Sequence, residues 1–347
     1  MKQIRIGIIG SGGIAQGAHL PNYQKLEGVT LAALCDRNPQ TLAAAGAKFG
    51  VAKSRQFADY EKMLASVKLD AVSVCTPNAH HWKPTVAALE RGVHVLVEKP
   101  LAVNATEGEA MVRAAKQNKR LLMVAFNQRF RSEAVYLKRA IKEGALGEIY
   151  YAEAIYTRRR GVPGWGVFIE RKESGGGPLM DVGVHMLDLA LHLMGYPKPV
   201  SAFGSTYAKL ATRPHQVAGM GAYDPKRFTV EDFGVGLVKF ENGATLFLKA
   251  SWAANIREGQ GDVVLMGTEG GCQVSPLGIF TQQHSGLVDV TPVGLPRVDS
   301  HAEEIRAFVE AIRAGGRSPV PGEQGLVATR ILDAIYKSGA TGREEKV

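Results

Sequence analysis

Apolar and polar positions alternate in blocks along the first third of the chain. Ile4 to Ile9 is a short apolar run suited to a buried parallel strand, and comparable runs return at Leu31 to Cys35, Asp70 to Cys75, Val93 to Val97 and Leu121 to Phe126. Between them, helical periodicity marks Pro39 to Phe49, Tyr60 to Ala65, Lys83 to Arg91 and Ala105 to Asn118. Strand–helix alternation of this kind predicts a parallel sheet with helices on both faces. Further on, strand-like runs occupy Ile149 to Thr157, Val200 to Tyr207, Thr229 to Phe240, Ala244 to Trp252 and Asp262 to Met266, with Glu241-Asn242-Gly243 as a turn between two of them. One predicted helix stands apart. It runs from Leu179 to Met194, entered through Gly175-Gly176-Gly177-Pro178 and left through Gly195 and Pro197. Its only polar positions, Asp181, His185, Asp188 and His192, fall within an arc of roughly 60°. A helix apolar on every other side is a buried helix, and buried Asp and His need partners. A structural network, a catalytic group and a metal site all satisfy that pattern.

Length and composition narrow the class. With 347 residues the chain exceeds one ordinary core, so two domains are expected. A hydrophobic content of 45% and a charged content of 22% belong to a globular protein. No apolar stretch approaches the ~18 residues of a membrane span, so no membrane partner is expected. The first strand begins within four residues of Met1, which leaves no room for a signal peptide, and Cys35, Cys75 and Cys272 are spaced as free thiols. These features predict a cytoplasmic protein. The net charge of +9 is scattered except for Arg158-Arg159-Arg160. No basic stripe is interleaved with aromatics, which argues against nucleic acid; cofactor phosphates and solubility suffice to explain the charge.

The candidate chemistry begins where the first strand ends. Gly10-Ser11-Gly12-Gly13-Ile14-Ala15 is a Gly-x-Gly-x-x-Ala turn at a strand-to-helix junction. Its first glycine permits the tight turn, its second lets backbone approach a pyrophosphate, and the helix start presents N–H groups to phosphate. The second strand ends in Asp36, an acceptor for ribose hydroxyls that favours NAD, while Arg37 offers a partner for a 2′-phosphate and leaves NADP open. Ligands in such sheets bind beyond the carboxyl ends of the strands. Three polar clusters sit at those ends: Thr76-Pro77-Asn78 with His80-His81, Glu98-Lys99-Pro100, and Asn127-Gln128-Arg129. Lys99 leaves a fully apolar strand and is expected to point its ammonium into the cofactor crevice. A loop at Arg158 to Phe168 precedes the glycine-rich helix entry, and its Trp165 is a candidate contact for nicotinamide or substrate.

These residues resemble the glucose–fructose oxidoreductase, inositol dehydrogenase and MocA (Gfo/Idh/MocA) family. The resemblance rests on Gly10-x-Gly12-x-x-Ala15, Thr76-Pro77-Asn78-x-x-His81, the run from His94 to Leu101, and Asp181-x-x-x-His185-x-x-Asp188, and it extends nearly end to end. It implies an α/β protein: a doubly wound Rossmann domain over residues 1–126, an α+β domain with a large open, mostly antiparallel sheet over 127–322, and a carboxyl-terminal helix and tail over 323–347 that returns to the first domain. It also implies a homo-oligomer, dimeric or tetrameric. Lys99, Asp181 and His185 then form the catalytic group, and Gly10, Gly12, Asp36, Thr76, Asn78 and Glu98 hold the dinucleotide. Gly13, Ile14, Arg37, Pro77, His81 and Lys99 complete the candidate cofactor-binding set. Asn127, Arg129 and Trp165 join Asp181 and His185 as candidate substrate contacts.

The implied reaction moves a hydride between nicotinamide and a secondary hydroxyl of a cyclic polyol, sugar or glycoside. It requires a proton acceptor for the hydroxyl and positive charge near the developing alkoxide. His185 suits the first role and Lys99 the second, while Asp181, one turn before His185, orients it or binds a substrate hydroxyl. A lysine beside the stripe and the lack of cysteine in this segment argue against a metal. Asp188 and His192 read as supporting hydrogen-bond partners. Two other readings are a glycosidase that oxidises its sugar transiently through NAD, and a dinucleotide-binding sensor without catalysis, which has no need of Lys99, Asp181 and His185 together.

Overall fold

The computed structural model describes residues 3–214 and 217–347. They form two compact units, Met1–Asn127 with Asp299–Leu326, and Gln128–Val298 with Val327–Val347.

The first unit is built on a six-stranded sheet of β1 (Ile4–Ile9), β2 (Val29–Cys35), β3 (Gln56–Phe57), β4 (Ala71–Val74), β5 (His94–Val97) and β6 (Leu122–Val124), in the order β3-β2-β1-β4-β5-β6. Every pairing is parallel. That order reverses between β1 and β4, which places the ligand crevice of a doubly wound sheet at their carboxyl ends. The helices between the strands begin where the sequence supplies caps: the Asn38 side chain accepts from Gln40 and Thr41 N–H, and that of Asn104 from Glu107 N–H. Pro39–Phe49 and Ala105–Asn118 match the sequence reading residue for residue.

The second unit carries nine strands: β7 (Ile149–Thr157), β8 (Pro199–Tyr207), β9 (Phe233–Phe240), β10 (Thr245–Ser251), β11 (Gln260–Gly267), β12 (Gly270–Gln273), β13 (Gly278–Gln283), β14 (Gly286–Val290) and β15 (Glu345–Lys346). Their order is β14-β13-β12-β11-β7-β10-β9-β8-β15. Only β7 and β10 pair in parallel, so the sheet is mixed and mostly antiparallel. Thr229 to Asp232, read from sequence as part of a strand, stays outside β9: Thr229 N–H donates to the Ile169 carbonyl at 2.9 Å, and the Asp232 carboxylate accepts from Leu210 and Ala211 N–H at 2.6 and 2.8 Å. The helix over 179–194 lies against the sheet, and the fit is close. A Cβ at Gly234 of β9 would come within 2.5 Å of Leu179.

The division of the chain differs from the sequence reading at its carboxyl end. Residues 299–326, which that reading kept in the second domain up to 322, cluster with the first unit. There Val320 accepts from Val124 N–H and Pro321 bridges to Met123, extending the first sheet's edge. The final helix, Gly322–Thr341, contributes only its opening turn to that unit. Its later residues pack on the second sheet, where Ile335 lies over Gly204 and Gly236, and β15 pairs with β8.

Candidate functional site

In the first unit, β1 leads into the glycine turn. Gly10 has φ +91°, and a Cβ there would meet the Cys75 carbonyl carbon at 2.7 Å, so the position requires glycine. Nothing lies within 4 Å of a Cβ placed on Gly12 or Gly13, so this side of the turn is open for a phosphate to approach the backbone. Ala15 is fully buried against the sheet, while Ile14 is exposed. Asp36 anchors the turn from the neighbouring strand: one carboxylate oxygen accepts from Ser11 N–H at 2.7 Å and the other from Asn38 N–H at 2.8 Å. Arg37 beside it is exposed. The turn, its open flank and its acidic neighbour fit a dinucleotide.

The polar clusters at the ends of β4 and β5 are tied together by His81. Its ring is fully buried, with Nδ1 2.7 Å from the Pro100 carbonyl oxygen and Nε2 2.9 Å from that of Thr76. Burial holds this imidazole below its ordinary pKa despite both carbonyls. His81 therefore joins the Thr76-Pro77-Asn78 turn to the segment that carries Lys99, whose own side chain is half-buried. Thr76 Oγ1 donates to the His80 carbonyl, closing that turn. The Glu98 carboxylate is engaged at both oxygens. One oxygen lies 2.8 Å from His19 Nε2 and the other accepts from the Lys99 backbone N–H. Burial alone would raise Glu98; the His19 hydrogen bond and charge hold it down at about 2. Behind this pair His19 Nδ1 contacts Ser73 Oγ, which Tyr23 OH also reaches. The helix Ser300–Ala314 adds fully buried Glu304 and partly exposed His301, with His301 Nδ1 3.9 Å from Glu304. Asn127, a candidate substrate contact, is buried, and its amide donates to Ser300 Oγ and faces His301 Nε2. His19, Tyr23, Ser73, His301 and Glu304 escape a reading of the sequence because they come from separate segments that only the fold brings together.

In the second unit the polar stripe of the central helix divides. Its first turn, Leu179–Gly183, is a π-helix, and the α-helix continues over Val184–Met194. A wider turn rotates Asp181 relative to the residues after it, while His185, Asp188 and His192 keep their α-helical spacing. Asp181 and His185 line a cleft of about 250 Å³ together with Tyr156, Arg158, Trp165, Phe168 and Met220. Asp181 Oδ2 accepts from Trp252 Nε1 at 3.1 Å, and Trp252 is fully buried, so the carboxylate is oriented from within the core. Glu231 fixes the helix entry, accepting from Gly177 N–H, Leu179 N–H and Tyr336 OH. Asp188 leaves the cleft altogether. Fully buried, it takes both ends of the Arg129 guanidinium, at 2.8 and 2.6 Å, and the Tyr196 hydroxyl at 2.6 Å. Arg129, read as a candidate substrate contact, is thus engaged in a buried bidentate pair. Burial, with the Arg129 and Lys138 charges, pushes His192 down to about 3 and keeps it neutral. Among the described residues no group of three or more His, Cys, Asp or Glu side chains is placed to hold a metal ion.

Residues 4–126 match the family model described as "Oxidoreductase family, NAD-binding Rossmann fold", and residues 134–273 match the "GFO/IDH/MocA C-terminal domain". The D-glucoside 3-dehydrogenase of Escherichia coli is 34% identical over 98% of this chain and 96% of its own. The chain belongs to the Gfo/Idh/MocA oxidoreductase family. Another member of the family, the levoglucosan dehydrogenase of Pseudarthrobacter phenanthrenivorans, is 27% identical over 98% of this chain and 97% of its own. The crystal structure of an aldose-aldose oxidoreductase from Caulobacter crescentus complexed with glycerol superimposes with a TM-score of 0.83 at 26% identity, covering both chains completely. That of a levoglucosan dehydrogenase in complex with NADH and levoglucosan gives 0.84 at 24% identity with the same coverage and shares the fold. This Gfo/Idh/MocA protein is accordingly an NAD-binding oxidoreductase of a family of sugar and polyol dehydrogenases, with a Rossmann domain at its amino-terminal end. No helix among the described residues is long and apolar enough to cross a membrane.

Proposed function

We propose that this protein oxidises a secondary hydroxyl of a cyclic polyol, sugar or glycoside, with Lys99, Asp181 and His185 as its catalytic group. The observation that carries the reading is the cleft in which an oriented carboxylate, Asp181, and an imidazole, His185, stand beside exposed Trp165 and the guanidinium of Arg158. An aromatic wall with a few convergent polar groups suits a polyhydroxylated ring. His185 takes the hydroxyl proton, Asp181 positions the ring or the imidazole, and the Lys99 ammonium stabilises negative charge on the reacting oxygen. When bound, the nicotinamide supplies the two-electron acceptor. Gly10, Gly12, Gly13, Ile14 and Asp36 hold the adenosine and pyrophosphate end, with NAD preferred through Asp36. Thr76, Pro77, Asn78, His81 and Glu98 shape the nicotinamide end.

The assembly and compartment belong to the same proposal. Three buried free thiols, Cys35, Cys75 and Cys272, suit a reducing cytoplasm. A row of side chains crosses the outer face of the second sheet: Phe203, Leu237 and Phe247 on neighbouring strands, then Glu153 and Val264. Phe203 and Leu237 are exposed, and this apolar face is the one we assign to a second copy of the chain.

The test is NADH production over a panel of sugars, inositols and glycosides. Turnover on at least one ring polyol is expected, with Lys99→Ala lowering kcat at least ~100-fold while NAD affinity stays within a few-fold. Normal turnover by folded Lys99→Ala would remove the lysine from the reaction. Release of an aglycone without accumulation of NADH would identify a glycosidase instead.

A further inference from the structure

Trp165 belongs to two clefts at once. On one side lies the cleft of Asp181 and His185; on the other lies a second, of about 260 Å³, whose walls include Ile169, Ala222, Tyr223, Asp224 and Arg227. Pro163 and Trp165 line both, so the two clefts adjoin at these residues. The junction is also firmly held. Gly164 N–H donates to the Met220 carbonyl at 2.8 Å, Pro163 bridges to Met220, and a Cβ at Gly164 would collide with the backbone of Gly221. Trp165 is 54% exposed and braced edge-on by Phe168 at 6.4 Å, which leaves indole surface available rather than buried in a core. Each cleft alone is smaller than the ~300 Å³ at which small-ligand pockets begin, and the pair together passes that size.

We infer that the second cleft is a subsite for the second ring of a glycoside, with the first ring held beside Asp181 and His185. The inference rests on the function proposed above and names the substrate class of the same site. Its chemistry favours a neutral polyol over a phosphate. Arg227 is paired with Glu170, and Asp224 adds a carboxylate to the rim, so the cleft holds no excess positive charge. Asp224 is further committed to capping, accepting from Lys226 N–H at 2.9 Å. The Tyr223 hydroxyl donates to the Ala211 carbonyl, leaving its oxygen to accept from a ligand. An indole face bordered by a phenol and a balanced ion pair matches a sugar ring, apolar on its C–H face and polar at its rim. Energy gained on the remote ring is available to the reacting one.

The experiment compares substrates that share a reacting ring: maltose with methyl α-glucoside, and cellobiose with methyl β-glucoside. Ala222 is exposed and outside the first cleft, so Ala222→Phe fills the second without entering the first. We expect kcat/KM for the preferred disaccharide to exceed that for its methyl glucoside by about tenfold in the wild type, and Ala222→Phe to abolish that advantage with the methyl glucoside unchanged. Calorimetric titration of both proteins with the same four ligands in the presence of NADH reads the subsite independently of turnover. Disaccharide affinity equal to that of the methyl glucosides, or a parallel loss for both in Ala222→Phe, overturns the subsite. If no sugar reduces NAD but calorimetry still separates the two proteins on disaccharides alone, the catalytic reading falls and the subsite stands.

Discussion

His185 shares its cleft with an oriented carboxylate and an arginine, and the general-base role proposed for it carries a pH dependence that can be tested. Oxidation should slow as pH falls and the imidazole takes up a proton. His185→Asn should lower kcat roughly 10²–10⁴-fold and erase the acid limb of the profile. An acid limb that survives the substitution would assign the base elsewhere. Glu304 makes a different prediction, about stability. It is fully buried, and neither carboxylate oxygen has a hydrogen-bond partner among the described residues. Burial pushes it from 4.5 up to about 7. Below the unfolded value both states hold the proton, so this residue costs nothing there. Between about 4.5 and 7 the unfolded chain ionises first, so stability falls as pH rises and levels off above the folded value. The difference amounts to on the order of 3 kcal/mol. Glu304→Gln should flatten that part of the stability–pH curve measured by urea unfolding. An unchanged slope would show that Glu304 does not carry it. Raised His19 acts in the same direction, since a buried group that holds its proton longer than the unfolded chain loses stability as pH rises.

At the scale of elements, the glycine turn is the piece whose parts are most separable. Asp36 anchors Ser11 N–H, and the proposed function also gives it the adenosine ribose hydroxyls. Asp36→Ala should weaken NAD about tenfold more than NADP in fluorescence titration, because only NAD presents a free 2′-hydroxyl. Equal losses would leave Asp36 the anchoring role alone. This turn, its strands and most of its helices are legible in the sequence because their signals are local: apolar runs, Asn38 and Asn104 as caps, and Gly10 where a strand must turn. Other elements are not. β12, β13 and β14 each open on glycine and are only four to six residues long, and β3 and β15 span two residues each. The π turn at Leu179–Gly183 carries no pattern of its own, and the stripe reads as continuous although Asp188 is taken by Arg129 and only Asp181 and His185 of its residues line the cleft. Arg129 with Asp188 and Trp252 with Asp181 are pairings across 59 and 71 residues, and spacing along the chain does not encode them.

For the whole molecule the exposed sheet face is the decisive surface. Leu237 lies between Phe203 on β8 and Phe247 on β10, so a charge at its position disrupts the row at its centre. Leu237→Lys should reduce the mass measured by light scattering to that of a single chain, while the circular dichroism stays that of the wild type. A wild type already at the mass of one chain would remove this face from assembly. Where copies do share it, folding becomes a reaction of more than one molecule. Mass action then enters, and the melting temperature climbs with protein concentration. A sample diluted for an enzyme assay would be less heat-resistant than the same protein at the concentrations used for scattering, and Leu237→Lys would melt at one temperature regardless of how much of it is present.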